Sequence, residues 1–65
     1  MIGKKYFITQ RYCEWYLYQN KRKSSLKLGE VVRVNRIEDS LTYFWGDYCI
    51  FSLPDSLLHL LREKL

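Results

Sequence analysis

Lysine and arginine side chains in the first half of the sequence are interleaved with aromatic ones, a combination that suits binding to a nucleic acid. Four cations fall within residues 21–27, and two more lie on the predicted strand that follows. Cations neutralise phosphates, while exposed rings offer stacking surfaces to bases. We therefore predict a binding face for DNA or RNA composed of Lys21, Arg22, Lys23, Lys27, Arg33, Arg36, Tyr16, Tyr18, Tyr43 and Trp45.

The charge of the chain is distributed unevenly, which favours the same interpretation. The 65 residues carry a net charge of +4. Residues up to Arg36 include nine basic and two acidic side chains, a net +7, whereas those from Ile37 onward include two basic and five acidic ones, a net −3. This asymmetry indicates a partner with a polyanionic surface. A basic loop that only keeps the protein solvated is the alternative.

A second interpretation is that the aromatic residues bind another protein. Residues 41–54 are unusually rich in them, and a small domain with an exposed aromatic surface can fill a partner's groove or add a strand to its sheet. The chain would then be a protein-binding module or an inhibitor. The salt dependence of binding distinguishes the two interpretations. Nucleic-acid binding weakens steeply as the salt concentration rises, whereas binding through an aromatic protein interface does not.

Catalytic chemistry is not indicated by the ionisable residues. His59 is the single histidine, and Asp55 and Glu63 each lie four residues from it. On a helix these spacings place carboxylates beside the imidazole. The arrangement fits a catalytic pair, but it is far more common on an ordinary solvated helix face. One histidine and two distant cysteines cannot form a zinc site, and the three glycines are too far apart for a phosphate-binding loop. We expect a non-enzymatic protein without a cofactor or a metal.

The two cysteines, Cys13 and Cys49, are too few for a disulfide-stabilised fold, and neither belongs to a Cys-x-x-Cys motif. We expect both to be buried free thiols. The first residues, MIGKK, are not followed by the apolar segment of a signal peptide. No run of about 18 or more apolar residues could span a membrane. These features predict a cytoplasmic protein that does not contact a membrane.

Short segments rich in β-forming residues predict five antiparallel strands. They span residues 5–9, 12–18, 31–37, 41–45 and 48–51. A polar basic loop is predicted between the second and third strands, and turns are predicted at residues 38–40 and at Gly46-Asp47.

Residues 12–18, with the sequence YCEWYLY, fit two kinds of element. On a strand, Cys13, Trp15 and Leu17 would face the core and the even-numbered side chains would face solvent. A helix over residues 9–23 is the alternative. We favour the strand, because Tyr, Trp and Cys dominate and strong helix formers are few. If residues 11–23 prove to be one continuous helix, the barrel interpretation fails.

The C-terminal residues 53–65 have the pattern of an amphipathic α-helix. Ser52 and Asp55 have the spacing of a capping box, and Pro54 falls in the first turn. The apolar stripe that follows consists of Leu57, Leu58, Leu60, Leu61 and Leu65. An isolated helix of about 12 residues is marginal in water, so we expect this helix to pack across an open end of the barrel.

Three motifs follow one another between residues 12 and 57. A long loop leads into Leu26-Lys27-Leu28-Gly29-Glu30, a strand with Trp45 comes next, and a strand ending in Leu53-Pro54 precedes Leu57. This order resembles the SH3-like family of small β-barrels. With its basic charge and predicted terminal helix, the chain is similar to the small chromatin proteins of archaea and to phage accessory proteins. The resemblance implies a mainly β fold in a single domain over residues 1–65, with a five-stranded antiparallel barrel at 4–52 and an α-helix at 53–65.

Strand alternation divides the aromatic residues between two faces. Phe44 and Phe51 should face the core, whereas Tyr43 and Trp45 should lie on the opposite face and be at least partly exposed. The predicted core residues are Trp15, Leu17, Val32, Val34, Phe44, Phe51, Leu57 and Leu61.

Overall fold

A computed structural model describes residues 2–65 as a curled five-stranded antiparallel sheet, a half-barrel, with one short α-helix. The elements in chain order are strand β1 (Lys5–Ile8), helix α1 (Gln10–Asn20), strands β2 (Val31–Glu38), β3 (Leu41–Trp45) and β4 (Ile50–Pro54), a 3₁₀-helix (Asp55–Leu60) and strand β5 (Leu61–Glu63). The strands lie in the order β4-β3-β2-β1-β5, and each neighbouring pair is antiparallel. The predicted mainly β fold with five antiparallel strands is confirmed.

Helix α1 replaces the strand predicted at residues 12–18, so that prediction is wrong. Thr9 is the N-cap, and its Oγ1 accepts a hydrogen bond from the Tyr12 backbone N–H at 3.1 Å. The helix ends where Lys21 adopts a left-handed conformation, with φ at 57°, and donates its N–H to the Leu17 carbonyl. These two caps satisfy backbone groups at the helix ends and outweigh the β propensity of the aromatic residues between them.

The C-terminal segment contains no α-helix, so the helix predicted over residues 53–65 is also wrong. A 3₁₀-helix follows β4, and β5 then pairs with β1, where Leu61 lies opposite Ile8. This pairing satisfies backbone groups and buries Leu60 and Leu61, which a short isolated helix could not achieve. The sheet therefore has five strands although α1 is helical, because the tail supplies the fifth one, and it forms a half-barrel rather than the predicted barrel.

The hairpin of β2 and β3 matches the strands predicted there. Asp39 and Ser40, with φ at 51° and 63°, form the turn that joins them, and positive φ at both central residues is typical of a type I′ hairpin. The next strand, β4, begins at Ile50, because residues 46–49 form a longer connection than the predicted tight turn.

The inner face of the sheet holds the core, and α1 covers it. Phe44 stacks on Phe51 with ring centroids 5.0 Å apart, and Phe51 contacts Tyr12 of α1 at 5.8 Å. Tyr6 meets Phe44 edge to face at 5.7 Å, one of the preferred geometries of aromatic pairs. The buried apolar residues are Tyr6, Ile8, Tyr12, Leu26, Val32, Val34, Phe44, Leu53, Leu60 and Leu61.

Half of the predicted core is buried as expected, namely Val32, Val34, Phe44 and Leu61. Trp15, Phe51 and Leu57 are half-buried and pack against the core. The prediction for Leu17 is wrong, since its side chain is 48% exposed. Tyr12, expected to face solvent, is buried instead. Both errors follow from the helix, because residues two positions apart share a face on a strand but not on an α-helix.

Candidate functional site

The outer face of the sheet carries cations and aromatic rings on neighbouring strands. Trp45 of β3 lies opposite Arg33 of β2, which in turn lies opposite Lys5 of β1. Directly paired residues project to the same face, so these three side chains form one row. In a second row, Arg36 of β2 lies opposite Tyr43 of β3. We call Lys5, Arg33, Arg36, Tyr43 and Trp45 the outer basic face.

A β-bulge at Asn35 places Arg36 on this face. Strict alternation would send Arg36 inward with Val34, but the register between β2 and β3 shifts between these two residues. A bulge adds one residue to a strand and redirects the side chains that follow. The Arg36 Cζ consequently lies 4.3 Å from the centroid of the Tyr43 ring, a cation–π contact.

The predicted division of the aromatic residues of β3 and β4 is confirmed. Phe44 is buried and Phe51 packs on it, whereas Tyr43 is half-buried and Trp45 is 47% exposed. Trp45 also borders a cavity of about 300 Å³, which lies at the lower end of the range of about 300–1,000 Å³ for small-ligand pockets. The cavity is lined by Lys5, Val31, Arg33, Trp45, Gly46 and Asp47.

Two cations on this side of the sheet, Lys5 and Arg62, were not among the predicted site residues. Arg62 of β5 lies opposite Phe7 of β1, and its Cζ is 4.9 Å from the centroid of that ring. Its position depends on β5, which the expected terminal helix excludes. The position of Lys5 could have been predicted from the sequence. Tyr6 and Ile8 are apolar residues two positions apart, so strand alternation directs them inward and Lys5 outward.

Four predicted site residues form a separate group at the C-terminal end of α1. The Lys21 Nζ lies 5.0 Å from the Tyr18 ring centroid, and the Arg22 Nη2 donates a hydrogen bond to the Tyr16 hydroxyl at 3.5 Å. We call Tyr16, Tyr18, Lys21 and Arg22 the helix-end cluster. Because α1 packs on the inner face of the sheet, this cluster and the outer basic face lie on different sides of it.

The last two predicted residues, Lys23 and Lys27, line a groove between α1 and the loop that follows it. The ten predicted residues therefore occupy three places: the outer basic face, the helix-end cluster and this groove. Only the outer basic face combines cations with rings on rigid neighbouring strands.

Two ionisable groups beside α1 have shifted proton affinity. Burial raises the pKa of the Tyr12 phenol to about 12, although its hydrogen bond with Ser24 acts in the opposite direction. Burial, and then the charge of Glu14, raise the pKa of the Cys13 thiol. Cys13 and Cys49 are both free and half-buried. A thiol with a raised pKa stays protonated at neutral pH, so Cys13 is a weak nucleophile.

His59 is exposed and lies in the 3₁₀-helix, while Glu63 lies on β5. The α-helical spacing that would bring Asp55 and Glu63 beside the imidazole therefore does not occur. Across residues 2–65, no three His, Cys, Asp or Glu side chains are grouped as ligands of a metal ion would be. No helix in the described part of the chain has the length and apolar character needed to cross a bilayer.

Comparison of the chain with protein-family models, with curated proteins and with solved structures finds no match in any of the three.

Proposed function

We propose that the protein is a non-enzymatic binding module that binds the backbone of a single-stranded nucleic acid, DNA or RNA, through the outer basic face. The observation that carries the proposal is the juxtaposition of cations and rings in two adjoining rows. One row contains Lys5, Arg33 and Trp45, and the other contains Arg36 and Tyr43. Such rows match a strand of nucleic acid, in which phosphates need cations and bases stack on exposed rings.

Lys5 and Arg33 are free to bind phosphate groups. Both side chains are exposed, and within residues 2–65 neither forms a salt bridge. The third cation, Arg36, has its Nη1 3.6 Å from Glu38 Oε2. An exposed ion pair of this kind contributes only about 0–1 kcal/mol, so a phosphate can compete with Glu38 for the guanidinium.

Trp45 favours a single strand over a duplex. Bases in a duplex are already stacked on one another, whereas unpaired bases can stack on an aromatic side chain and gain about 1–3 kcal/mol each. The half-exposed Trp45 ring and the cavity beside it, which Lys5 and Arg33 also line, offer such a place. Every base has a π face, so this binding has little sequence preference.

We also propose that the half-barrel is of the SH3-like type. The support is the agreement of motifs with elements: Leu26-Lys27-Leu28-Gly29-Glu30 immediately precedes β2, Trp45 ends β3, and Leu53-Pro54 ends β4. The proposed location is the cytoplasm, where thiols stay reduced. The free state of both cysteines is consistent with that location.

A fluorescence-anisotropy titration tests the nucleic-acid proposal. Labelled oligonucleotides of about 12 nucleotides, single- and double-stranded, are titrated at about 50 and 200 mM salt. Two variants that each remove three positive charges give a matched comparison. The face variant carries Lys5→Ala, Arg33→Ala and Arg36→Ala. The loop variant carries Lys21→Ala, Arg22→Ala and Lys23→Ala.

The face variant should bind more weakly, with a salt slope reduced by about one for each phosphate that the protein no longer neutralises. The loop variant should lose less affinity, because its charges lie on the other side of the sheet. If the wild-type protein binds neither form at low salt, the nucleic-acid proposal is wrong. A larger loss of affinity in the loop variant than in the face variant would place the site at the helix-end cluster instead.

The alternative function is a protein-binding module or inhibitor, of the kind that phages encode. Tyr48, in the connection before β4, is 99% exposed, and Ile50 on that edge strand is also exposed. An edge strand can pair with an added strand from a partner protein. Binding of a protein at this edge should change little with salt and should be lost in a Tyr48→Ser, Ile50→Ser variant.

A further inference from the structure

A second surface, separate from the outer basic face, is the groove between α1 and the loop of residues 23–28. Its helix wall is one stripe with spacing i, i+3, i+4 and i+7, consisting of Gln10, Cys13, Glu14 and Leu17. Its loop wall consists of Lys23, Ser24, Leu26, Lys27 and Leu28. The groove encloses about 510 Å³, which is more than the cavity beside Trp45.

Leucine side chains on both walls of this groove are exposed to solvent. Leu17 is 48% exposed and Leu28 is 64% exposed, while Leu26 between them is buried. Removing apolar surface from water stabilises a complex by roughly 25 cal/mol per Å². Exposed apolar side chains gathered around a concavity, rather than scattered singly, are typical of an interaction site.

The groove is held open by hydrogen bonds within the chain. The Ser24 Oγ accepts a hydrogen bond from the Leu26 N–H at 3.0 Å, and the Glu30 Oε1 accepts one from the Lys27 N–H at 3.1 Å. The Gly29 N–H donates to the Ile8 carbonyl of β1 at 2.8 Å. A loop that is already ordered loses little conformational entropy when a ligand binds.

The charges of the groove specify its occupant. Residues 21–27 contain four cations and no acid, and within residues 2–65 neither Lys23 nor Lys27 forms a salt bridge. On the opposite wall, the Glu14 Oε2 already accepts a hydrogen bond from the Gln10 Nε2 at 3.2 Å. A ligand of the groove therefore needs apolar side chains that contact the leucines. It also needs acidic side chains on the side that faces Lys23 and Lys27.

We propose that this groove binds an amphipathic acidic helix of a partner protein. Helices of this kind bind by inserting apolar anchors spaced three or four residues apart into a hydrophobic groove. A nucleic acid fits the groove poorly, because none of its lining residues is aromatic and Glu14 repels phosphate. Since α1 packs on the inner face of the sheet, the groove and the outer basic face can be occupied together. The protein would then join a protein partner to a nucleic acid, although the groove proposal does not depend on the nucleic-acid one.

The test begins with selection from a displayed library of random peptides of about 15 residues on the immobilised full chain. We expect enriched sequences to combine two or three large apolar residues at helical spacing with several Asp or Glu. A labelled peptide of the enriched family is then titrated against variants. Leu17→Ser with Leu28→Ser should weaken binding about tenfold or more, as loss of interface anchors does. Ile37→Ser with Leu65→Ser removes exposed apolar surface outside the groove and should leave the affinity unchanged.

Charge reversal and thiol protection provide readouts that do not depend on the leucines. Lys23→Glu with Lys27→Glu should also weaken binding. Bound peptide should slow the alkylation of Cys13, which lines the groove, when the reaction is followed at alkaline pH. Each variant should keep the wild-type unfolding transition, since the changed side chains are exposed. The proposal is overturned if no sequence family is enriched, if the family lacks acidic residues, or if its affinity is the same for the groove variants as for wild type.

Discussion

The two faces of β3 use aromatic side chains in opposite ways. Phe44 points to the inner face, is buried and packs on the rings of Tyr6 and Phe51, whereas its neighbours Tyr43 and Trp45 point outward beside arginines. The same class of residue therefore belongs to the core on one face and to a candidate binding surface on the other. The difference shows that the cross-strand neighbours of an aromatic residue, more than its own type, indicate its role.

The inner face is closed by two segments that are distant in sequence. Helix α1 covers it through Tyr12, and the C-terminal segment contributes Leu60 and Leu61. On the outer face, by contrast, the Trp45 side chain is 47% exposed and borders a cavity. Substitutions on the inner face should therefore affect folding, and those on the outer face should affect binding.

Removal of the C-terminal cover should have the largest effect. Truncation after Pro54 removes Leu60 and Leu61 from the core and removes β5, the partner of β1. We expect the cooperative thermal transition, followed by circular dichroism, to disappear. A truncated chain that unfolds as sharply as the full chain would contradict a closed inner face.

Paired substitutions on β3 compare the two faces directly. Phe44→Ala should destabilise the protein by about 3–5 kcal/mol, because it leaves a cavity in the core. Trp45→Ala should cost about 1 kcal/mol or less, since the side chain is half exposed, yet it should weaken oligonucleotide binding. Urea unfolding measures the first effect and anisotropy the second. Equal losses of stability in the two variants would refute the distinction between the faces.

Substitution of Thr9 tests how helix α1 is attached to the rest of the domain. Its hydroxyl caps α1 by accepting from the Tyr12 N–H and donates to the Leu60 carbonyl, so it joins both covering segments. Thr9→Ala should lower the free energy of unfolding by about 1–2 kcal/mol, as measured in urea. Thr9→Ser, which keeps the hydroxyl, is the matched control and should cost less; an equal loss of stability would mean that these hydrogen bonds do not matter.

The pH dependence of stability tests whether the phenol of Tyr12, on α1, is buried. Burial raises its pKa from 10.0 to about 12, so the folded protein holds the phenol proton more tightly than the unfolded chain does. This contribution is fully present below about pH 10 and is lost as the pH rises towards 12. The difference in urea midpoint between wild type and Tyr12→Phe should therefore change between pH 9 and 12. A difference in urea midpoint that stays constant over this pH range would mean that the Tyr12 phenol is exposed to water.

Local patterns predicted the β2–β3 hairpin and the division of its faces, because strand alternation and a short turn are encoded by neighbouring residues. They failed for residues 12–18 and for the tail. The first segment is helical because Thr9 and Lys21, outside the aromatic run, supply its caps. The tail is extended at Leu61 because β1, more than fifty residues earlier, is available as a partner. No local pattern carries that information.

The sequence predicts which types of residue form the candidate site, but not how the fold arranges them. The sequence indicates cations near exposed rings, but it cannot place residues 21–23 and Arg33 on different sides of a sheet, since that depends on the packing of α1. Lys5 joins Arg33 only through the pairing of β1 with β2. Arg36 faces outward only because of the bulge at Asn35, which strict alternation does not anticipate.

The two tryptophan side chains provide the most direct test of the central claim, within a single experiment. Trp45 lies on the outer basic face, whereas Trp15 lies on α1 and packs against the core. Both indole N–H signals can be followed in ¹H–¹⁵N spectra while a single-stranded oligonucleotide of about 12 nucleotides is added at low salt. We predict that the Trp45 signal moves progressively to saturation and that the Trp15 signal stays in place. A shift of Trp15 without a shift of Trp45, or no shift of either, would contradict nucleic-acid binding at the outer basic face.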